Sequence, residues 1–298
     1  MPAPSLRGRF VWHELMTTDP DAAARFYPAV TGWKVQTWEH NPAYRLWTMG
    51  GAPMAGLMAL PDHSRRMGTP PAWLSYVGVP DVDATVRQAT SLGARTYAGP
   101  QDIPVGRFAV LADPQGATFG LYKPSQQPVR GNDAAIGDFS WHELATTDYK
   151  AAWAFYRALF GWEPRESIDM GPDGTYWEFG LAGRDETIGG MYNKPPALPA
   201  ARWLAYVKVP SADTAARTAQ RSGGRVVSGP MDVPGGGRIA QCVYGDPQGA
   251  VIAVHAVAVA VKPAARPAGK RKAPRAKAKK AAKKAAPNRK AKRAKRAR

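Results

Sequence analysis

Apolar and polar residues alternate over residues 9–17, which predicts a β-strand with one face buried. At Asp19 the pattern changes. Ala22, Ala23, Phe26, Tyr27 and Val30 then recur at helical spacing, behind an aspartate suited to cap a helix N-terminus. Gly32 closes that helix, and strands are predicted over residues 34–38, 44–49 and 56–60. The same order follows again: a strand over 73–79, then a helix capped by Asp81 or Asp83 with Val82, Val86, Ala89 and Leu92 on one side. Gly93 ends it, and strands follow near 96–97, 108–111 and 118–122, the last two joined by a tight DPQG turn at Asp113.

This β-α-β-β-β pair is itself repeated. VWHELMTTDPDAAARFYPAVTGWK from Val11 returns as SWHELATTDYKAAWAFYRALFGWE from Ser140, at a shift of 129 residues. WLSYVGVP at Trp73 returns as WLAYVKVP at Trp203, and DPQGA at Asp113 returns at Asp246, so the shift grows only to 133. Ordered matches of this kind mark a duplication. The predicted boundaries are 8–124 for the first domain, 125–137 for a polar linker, 138–258 for the second domain and 259–298 for a tail.

Charge separates the tail from the body. Of 41 Lys and Arg in 298 residues, 18 lie between Lys262 and Arg298, where there is no acid, and the remainder carries 23 basic and 23 acidic groups. Cys242 is the one cysteine, which excludes an intrachain disulfide and a cysteine-rich metal site; its IAQCV setting reads as a buried, inert thiol on a strand. The first residues lack the apolar core of a secretory signal, and the apolar run over residues 251–261 is too short to span a bilayer. The expectation is a cytoplasmic protein, associated with the nucleoid through its tail, with no requirement to oligomerise.

The WHELxTTD strand-to-helix junction, the FY…GW helix end and the strand–DPxG–strand hairpin resemble the vicinal oxygen chelate superfamily, which includes glyoxalase I, bleomycin resistance proteins and extradiol dioxygenases. The resemblance covers roughly residues 8–258 and is closest to two-domain glyoxalase/bleomycin-resistance-like proteins. It implies an α+β fold of tandem domains, each built of two βαβββ modules that form a curved mixed sheet with helices outside. It also implies a divalent metal held by inward strand residues, a His seven positions before each helix-capping Asp and a Glu seven positions after the Asp of DPxG. Here those positions hold Trp12, Leu74 and Gly120, and in the repeat Trp141, Leu204 and Ala253. None is a side-chain metal ligand, so the expectation is no metal, no cofactor and a non-enzymatic binding protein. The alternative is a lyase or dioxygenase of this superfamily with a relocated metal site.

His13 and His142 are one residue out of phase with the implied ligand position, which turns them to the other face of the strand and into packing between sheet and helix. Glu14 and Glu143 share the phase of Trp12 and Trp141. Each is a carboxylate satisfied by backbone N–H groups or an Arg, an anchor for a small molecule, or a participant in chemistry. The residues expected to face the clefts are Trp12, Glu14, Trp47, Met49, Leu74, Tyr76 and Tyr122, and in the repeat Trp141, Glu143, Trp177, Phe179, Leu204, Tyr206 and His255. They form either an aromatic pocket for a small aromatic or cationic molecule or a packed interior. GGGR at Gly235 lacks the strand-loop-helix setting of a phosphate loop and reads as a flexible rim.

The tail contains essentially Lys, Arg, Ala and Pro, cannot build a core, and is predicted to be disordered. It resembles the basic tails of linker histones and bacterial histone-like proteins. The residues expected to meet phosphates are Lys270, Arg271, Lys272, Arg275, Lys277, Lys279, Lys280 and Lys283. Lys284, Arg289, Lys290, Lys292, Arg293, Lys295, Arg296 and Arg298 complete the set. Such a segment binds polyanions without reading bases, and nucleic acid is the expected partner ahead of an anionic surface or a purely solubilising role.

Overall fold

The computed structural model describes residues 6–126, 134–233, 237–243 and 248–257. The linker residues 127–133 and all the tail positions named above lie outside that range.

Each repeat folds into one curved, eight-stranded mixed sheet. In the first domain β1 (Phe10–Thr17) precedes α1 (Pro20–Thr31), β2 (Lys34–Trp38), β3 (Asn41–Met49) and β4 (Ala52–Ala59). A short unanticipated helix, α2 (Asp62–Arg66), leads to β5 (Ala72–Gly78), α3 (Val82–Ser91), β6 (Arg95–Ile103), β7 (Gly106–Ala112) and β8 (Thr118–Pro124). The strand order is β2-β3-β4-β1-β5-β8-β7-β6, with β1 and β5 antiparallel at the centre and each parallel to its outer neighbour. The second domain runs β9 (Phe139–Thr146), α4 (Tyr149–Phe160), β10 (Glu163–Asp169), β11 (Thr175–Gly180) and β12 (Thr187–Asn193). It continues through β13 (Arg202–Lys208), α5 (Ala212–Arg221), β14 (Arg225–Val233), β15 (Gly237–Val243) and β16 (Val251–Val257), in the corresponding order. Cys242 lies on β15, as its apolar setting suggested.

Local chemistry fixes the helix ends. The Asp19 carboxylate accepts the backbone N–H groups of Asp21 and Ala22, and Asp148 does the same for Lys150 and Ala151. Of the two candidates for α3, Asp81 is the cap and accepts from Ala84. Leu92, placed on the buried side by its spacing, is instead 41% exposed, because α3 ends at Ser91 and the chain turns away. The outer strands β3, β4 and β6 are longer than their apolar patterns, since edge and hairpin residues pair without needing burial.

The helices cover the convex face of each sheet, but they are not outermost: α1 packs on α5 and α3 on α4, across the two domains. Consequently the main cores are shared. One joins Phe26, Tyr27, Trp33, Trp47 and Trp73 to Val207, Ala216 and Ile252; the other joins Leu111, Phe119 and Leu121 to Tyr156, Phe160, Trp162 and Trp203.

The GW pair ending each first helix ties the domains together. Trp33 Nε1 donates to the Gly137 carbonyl at 2.7 Å, and Trp162 Nε1 donates to the Gly8 carbonyl at 2.8 Å. Gly8 has φ +79°, and a side chain there would come within 2.9 Å of the Trp162 indole nitrogen. The Asp113 turn contributes as well: one carboxylate oxygen accepts Gln115 and Ala117 N–H, and the other accepts the Tyr156 hydroxyl from the second domain. Among the described residues no helix is long and apolar enough to cross a membrane.

Candidate functional site

Two sets of side chains sit on the central strands with opposite phase. On the convex side, His13 and His142 meet between the sheets, Nε2 to Nε2 at 2.7 Å. Phe139 stacks on His13 and Phe10 on His142, both with ring centroids at 3.6 Å. Their expected place was between sheet and helix; instead they lie at the junction between the domains. His142 Nδ1 faces the Ile188 carbonyl, which only accepts, so that nitrogen carries hydrogen. Burial holds the His142 pKa down to about 3, with the Ile188 contact opposing weakly. The neutral ring then accepts from His13 Nε2–H.

On the concave side of the first sheet, Glu14 is 9% exposed. It accepts the Tyr44 hydroxyl at 2.7 Å and the Tyr76 hydroxyl at 3.3 Å, and Trp12 Nε1 donates to Tyr44 at 3.2 Å. The second sheet repeats the arrangement: Tyr206 donates to Glu143 at 3.0 Å, and Trp141 Nε1 donates to Tyr176 at 2.7 Å. Tyr176 and Tyr192 also stand close enough to Glu143 to favour its charged form. Burial pushes both carboxyls up toward the neutral form against these phenol donors, and it raises Tyr44, Tyr76, Tyr176 and Tyr206 too. Phenols are the partners here, in place of the backbone N–H groups or Arg that one of the three readings supplied.

Glycines make room for the rings. A side chain at Gly56 would lie 1.8 Å from the Tyr44 hydroxyl, and one at Gly190 would lie 2.1 Å from the Tyr176 ring. Both glycines stand beside the glutamates, Gly56 against Glu14 and Gly190 against Glu143.

Of the residues expected in the clefts, Leu74 and Tyr76 join Trp12 and Glu14, while Leu204 and Tyr206 cluster with Trp141 and Ala253. Tyr122 approaches Tyr76 edge-on at 6.4 Å, with its hydroxyl donating to the Val105 carbonyl; burial raises its pKa to about 12. His255 shares the phase of Ala253 on β16.

Trp47, Trp177, Phe179 and Met49 are corrections. Trp47 packs on Tyr27 and Trp33, Trp177 stacks on Tyr149 of α4, Phe179 stacks on Trp162, and Met49 packs against the same core. All four belong to the convex side. The register between β3 and β4 shifts between Trp47 and Thr48, and that of β11 against β12 shifts between Phe179 and Gly180. Trp47 and Trp177 lie one residue out of phase with Leu46 and Glu178, which pair with the glycines beside the glutamates, so counting from the wrong residue mistakes the face. The inward aromatics that the count missed are Tyr44, Tyr176 and Tyr192; for the first two the signal was the glycine opposite each glutamate.

The residues do not fit the metal that the resemblance implies. Trp12, Leu74 and Gly120 offer no donor, and the Tyr76 ring fills the space above Gly120, with a side chain there meeting it at 2.1 Å. Among the described residues no group of three or more His, Cys, Asp or Glu converges.

Comparison with known proteins places this geometry. Residues 12–122 match the model of a glyoxalase-like domain, and residues 138–254 match the model of the glyoxalase/bleomycin resistance protein/dioxygenase superfamily. "Putative glyoxylase CFP32" of Mycobacterium bovis is 33% identical over 251 residues, covering 82% of this chain and 92% of that protein. The anthracycline biosynthesis protein DauV of a Streptomyces species is 28% identical, covering 78% and 88%. Two solved structures share the fold. The Mn(II)-bound glyoxalase of Novosphingobium aromaticivorans has a TM-score of 0.57 at 15% identity over 85% of this chain and 82% of its own. The 2,2',3-trihydroxybiphenyl 1,2-dioxygenase of Sphingomonas wittichii has 0.60 at 15% identity over 84% and 90%.

Proposed function

The chain belongs to the glyoxalase/bleomycin resistance protein/dioxygenase superfamily, and we propose that it binds an oxygenated, planar aromatic molecule in its concave clefts without a resident metal. The observation that carries this reading is the glutamate–tyrosine–tryptophan cluster built twice, at the heart of each sheet. Aromatic faces supply stacking surface, and a carboxyl pushed toward neutrality hydrogen-bonds a hydroxyl or carbonyl without demanding a counter-charge. The same shift disfavours a cationic ligand, which would need the carboxylate. Relatives named for anthracycline biosynthesis fit that chemistry, an anthracycline being a polycyclic hydroxyquinone. Sequestration or presentation of the ligand, rather than turnover, is the function proposed.

The test is calorimetric titration of chelator-treated protein with 2,3-dihydroxynaphthalene, alongside metal analysis of untreated protein. Saturable binding without metal is expected. Binding that is lost on chelation and restored by Mn(II) would overturn the proposal in favour of a relocated metal site, with lyase or dioxygenase chemistry to follow.

The proposal extends to the C-terminal segment, which would hold the body to nucleic acid. Its support is the segregation of the entire net charge of +18 into residues 262–298. Each phosphate contacted releases counterions, so affinity should fall steeply with salt and ignore sequence. A chain ending at Val261 should lose duplex DNA binding while keeping the small ligand; retention of DNA binding by that chain would exclude the tail.

A further inference from the structure

The clefts share their floor and differ at their walls. Strand register makes the equivalences explicit, since Gly56 beside Glu14 answers to Gly190 beside Glu143. On that frame Leu46 corresponds to Glu178 and Met58 to Tyr192. Across the other half of each sheet Val110, paired with Gly120, corresponds to Gln241, paired with Ala253, and Tyr122 corresponds to His255. All four positions carry the phase of the glutamate cluster, and all four differ in polarity or in donor and acceptor capacity. The first cleft is walled by Leu46, Met58 and Val110; the second, by Glu178, Tyr192 and Gln241.

Electrostatics and hydrogen bonding differ in the same sense. Burial, reinforced by Glu166, pushes Glu178 up toward its neutral form. Burial pushes His255 down, as does nearby Lys208, so its imidazole is neutral at physiological pH. The Tyr122 hydroxyl finds the Val105 carbonyl, whereas His255 Nδ1 is buried with no hydrogen-bond partner among the described residues. A buried polar atom of that kind costs about 1–3 kcal/mol until something bonds it. Glu14 is buried, whereas Glu143 remains half-buried.

From this we infer that the clefts are not equivalent sites: the second is the selective one, taking a neutral ring that carries several hydrogen-bonding oxygens, and the first is a non-selective apolar counterpart. The inference rests on the metal-free binding reading given above. It adds which cleft recognises the ligand's oxygens and which residues do so.

The test exchanges the walls. In the full chain, Glu178→Leu, Tyr192→Met and Gln241→Val together give the second cleft the walls of the first. Titrated with 2,3-dihydroxynaphthalene, this variant should bind at least tenfold more weakly, while naphthalene affinity changes less than threefold. A truncation of the first cleft's walls, Leu46→Ala with Met58→Ala, should leave dihydroxynaphthalene affinity within threefold. Single His255→Gln, a milder change, should weaken dihydroxynaphthalene selectively if the triple variant fails to fold. Equal losses from both clefts, or a loss shared by naphthalene, would overturn the asymmetry and leave the binding reading standing. Binding of neither probe by the unaltered protein would remove that reading and this inference with it.

Discussion

The two faces of each sheet obey different rules. On the convex face the domains answer each other position by position: Tyr27 with Tyr156, Trp33 with Trp162, Trp73 with Trp203 and His13 with His142. On the concave face only the floor is matched, and the walls change from apolar to polar. The convex residues must fit a partner fixed inside the same molecule, so a change on one side strains the other. The concave walls meet whatever enters from solvent and are free to differ. Shape is therefore held by the symmetric face and selectivity by the asymmetric one.

The strongest way to break this comparison is to disturb the matched face. Trp33→Ala or Trp162→Ala removes a fully buried indole and its cross-domain hydrogen bond, which should cost about 3–5 kcal/mol in urea unfolding. The two losses should be similar and should unfold both domains together. A loss confined to one domain would show that the cores are separable.

The histidine pair should give the next largest effect. His142 is held neutral down to about 3, whereas an unfolded histidine titrates near its ordinary value of 6.5. Between those values the unfolded chain binds the extra proton, so stability must fall as pH drops through that window, by about 1.4 kcal/mol per pH unit at most. His142→Gln should flatten the slope measured from pH 6 to pH 4, whatever its effect at pH 7.

The floor of the clefts sharpens the contrast with the opposite sign. Glu14 and Glu143 are raised above the ordinary value of 4.5, so their contribution is greatest below that value and is lost as pH rises through the folded one. Glu14→Gln should remove that loss, gaining about 1.4 kcal/mol at alkaline pH for every factor of ten by which folding weakens the acid. Chemical denaturation at pH 5 and pH 8 checks this. Smallest of all should be Asp83→Asn or Asp213→Asn, which breaks exposed pairs with Arg107 and Arg238 and should leave the unfolding midpoint nearly unchanged.

Much of this was legible in the chain. Asp19, Gly32 and their repeats at Asp148 and Gly161 carry their own geometry, because capping is decided by residues a few positions apart. The phase of Trp12, His13 and Glu14 was legible too, since β1 runs almost directly into the Asp19 cap. The facing of Trp47 and Trp177 was not, for both neighbours in an apolar strand are equally able to be buried and the sequence alone leaves the phase unset. Nor was the domain pairing of α1 with α5: the apolar stripe of a helix says how much it buries and not against which partner. The phenol partners of the glutamates escaped for a related reason. Tyr44 reaches Glu14 across two strands, and only Gly56 between them betrays the space it takes.

The crossed tryptophan latches, Trp33 to Gly137 and Trp162 to Gly8, carry a consequence for the polypeptide as a covalent object. Each half completes its core with residues of the other, so the peptide bonds between Gln126 and Ala134 matter for proximity more than for shape. Cutting there should leave two fragments that remain associated and dissociate only on dilution or denaturation. What continuity of the chain supplies is an effective concentration, commonly in the millimolar range for a short connection. On that outcome the two halves would be a complementation pair translated as one molecule.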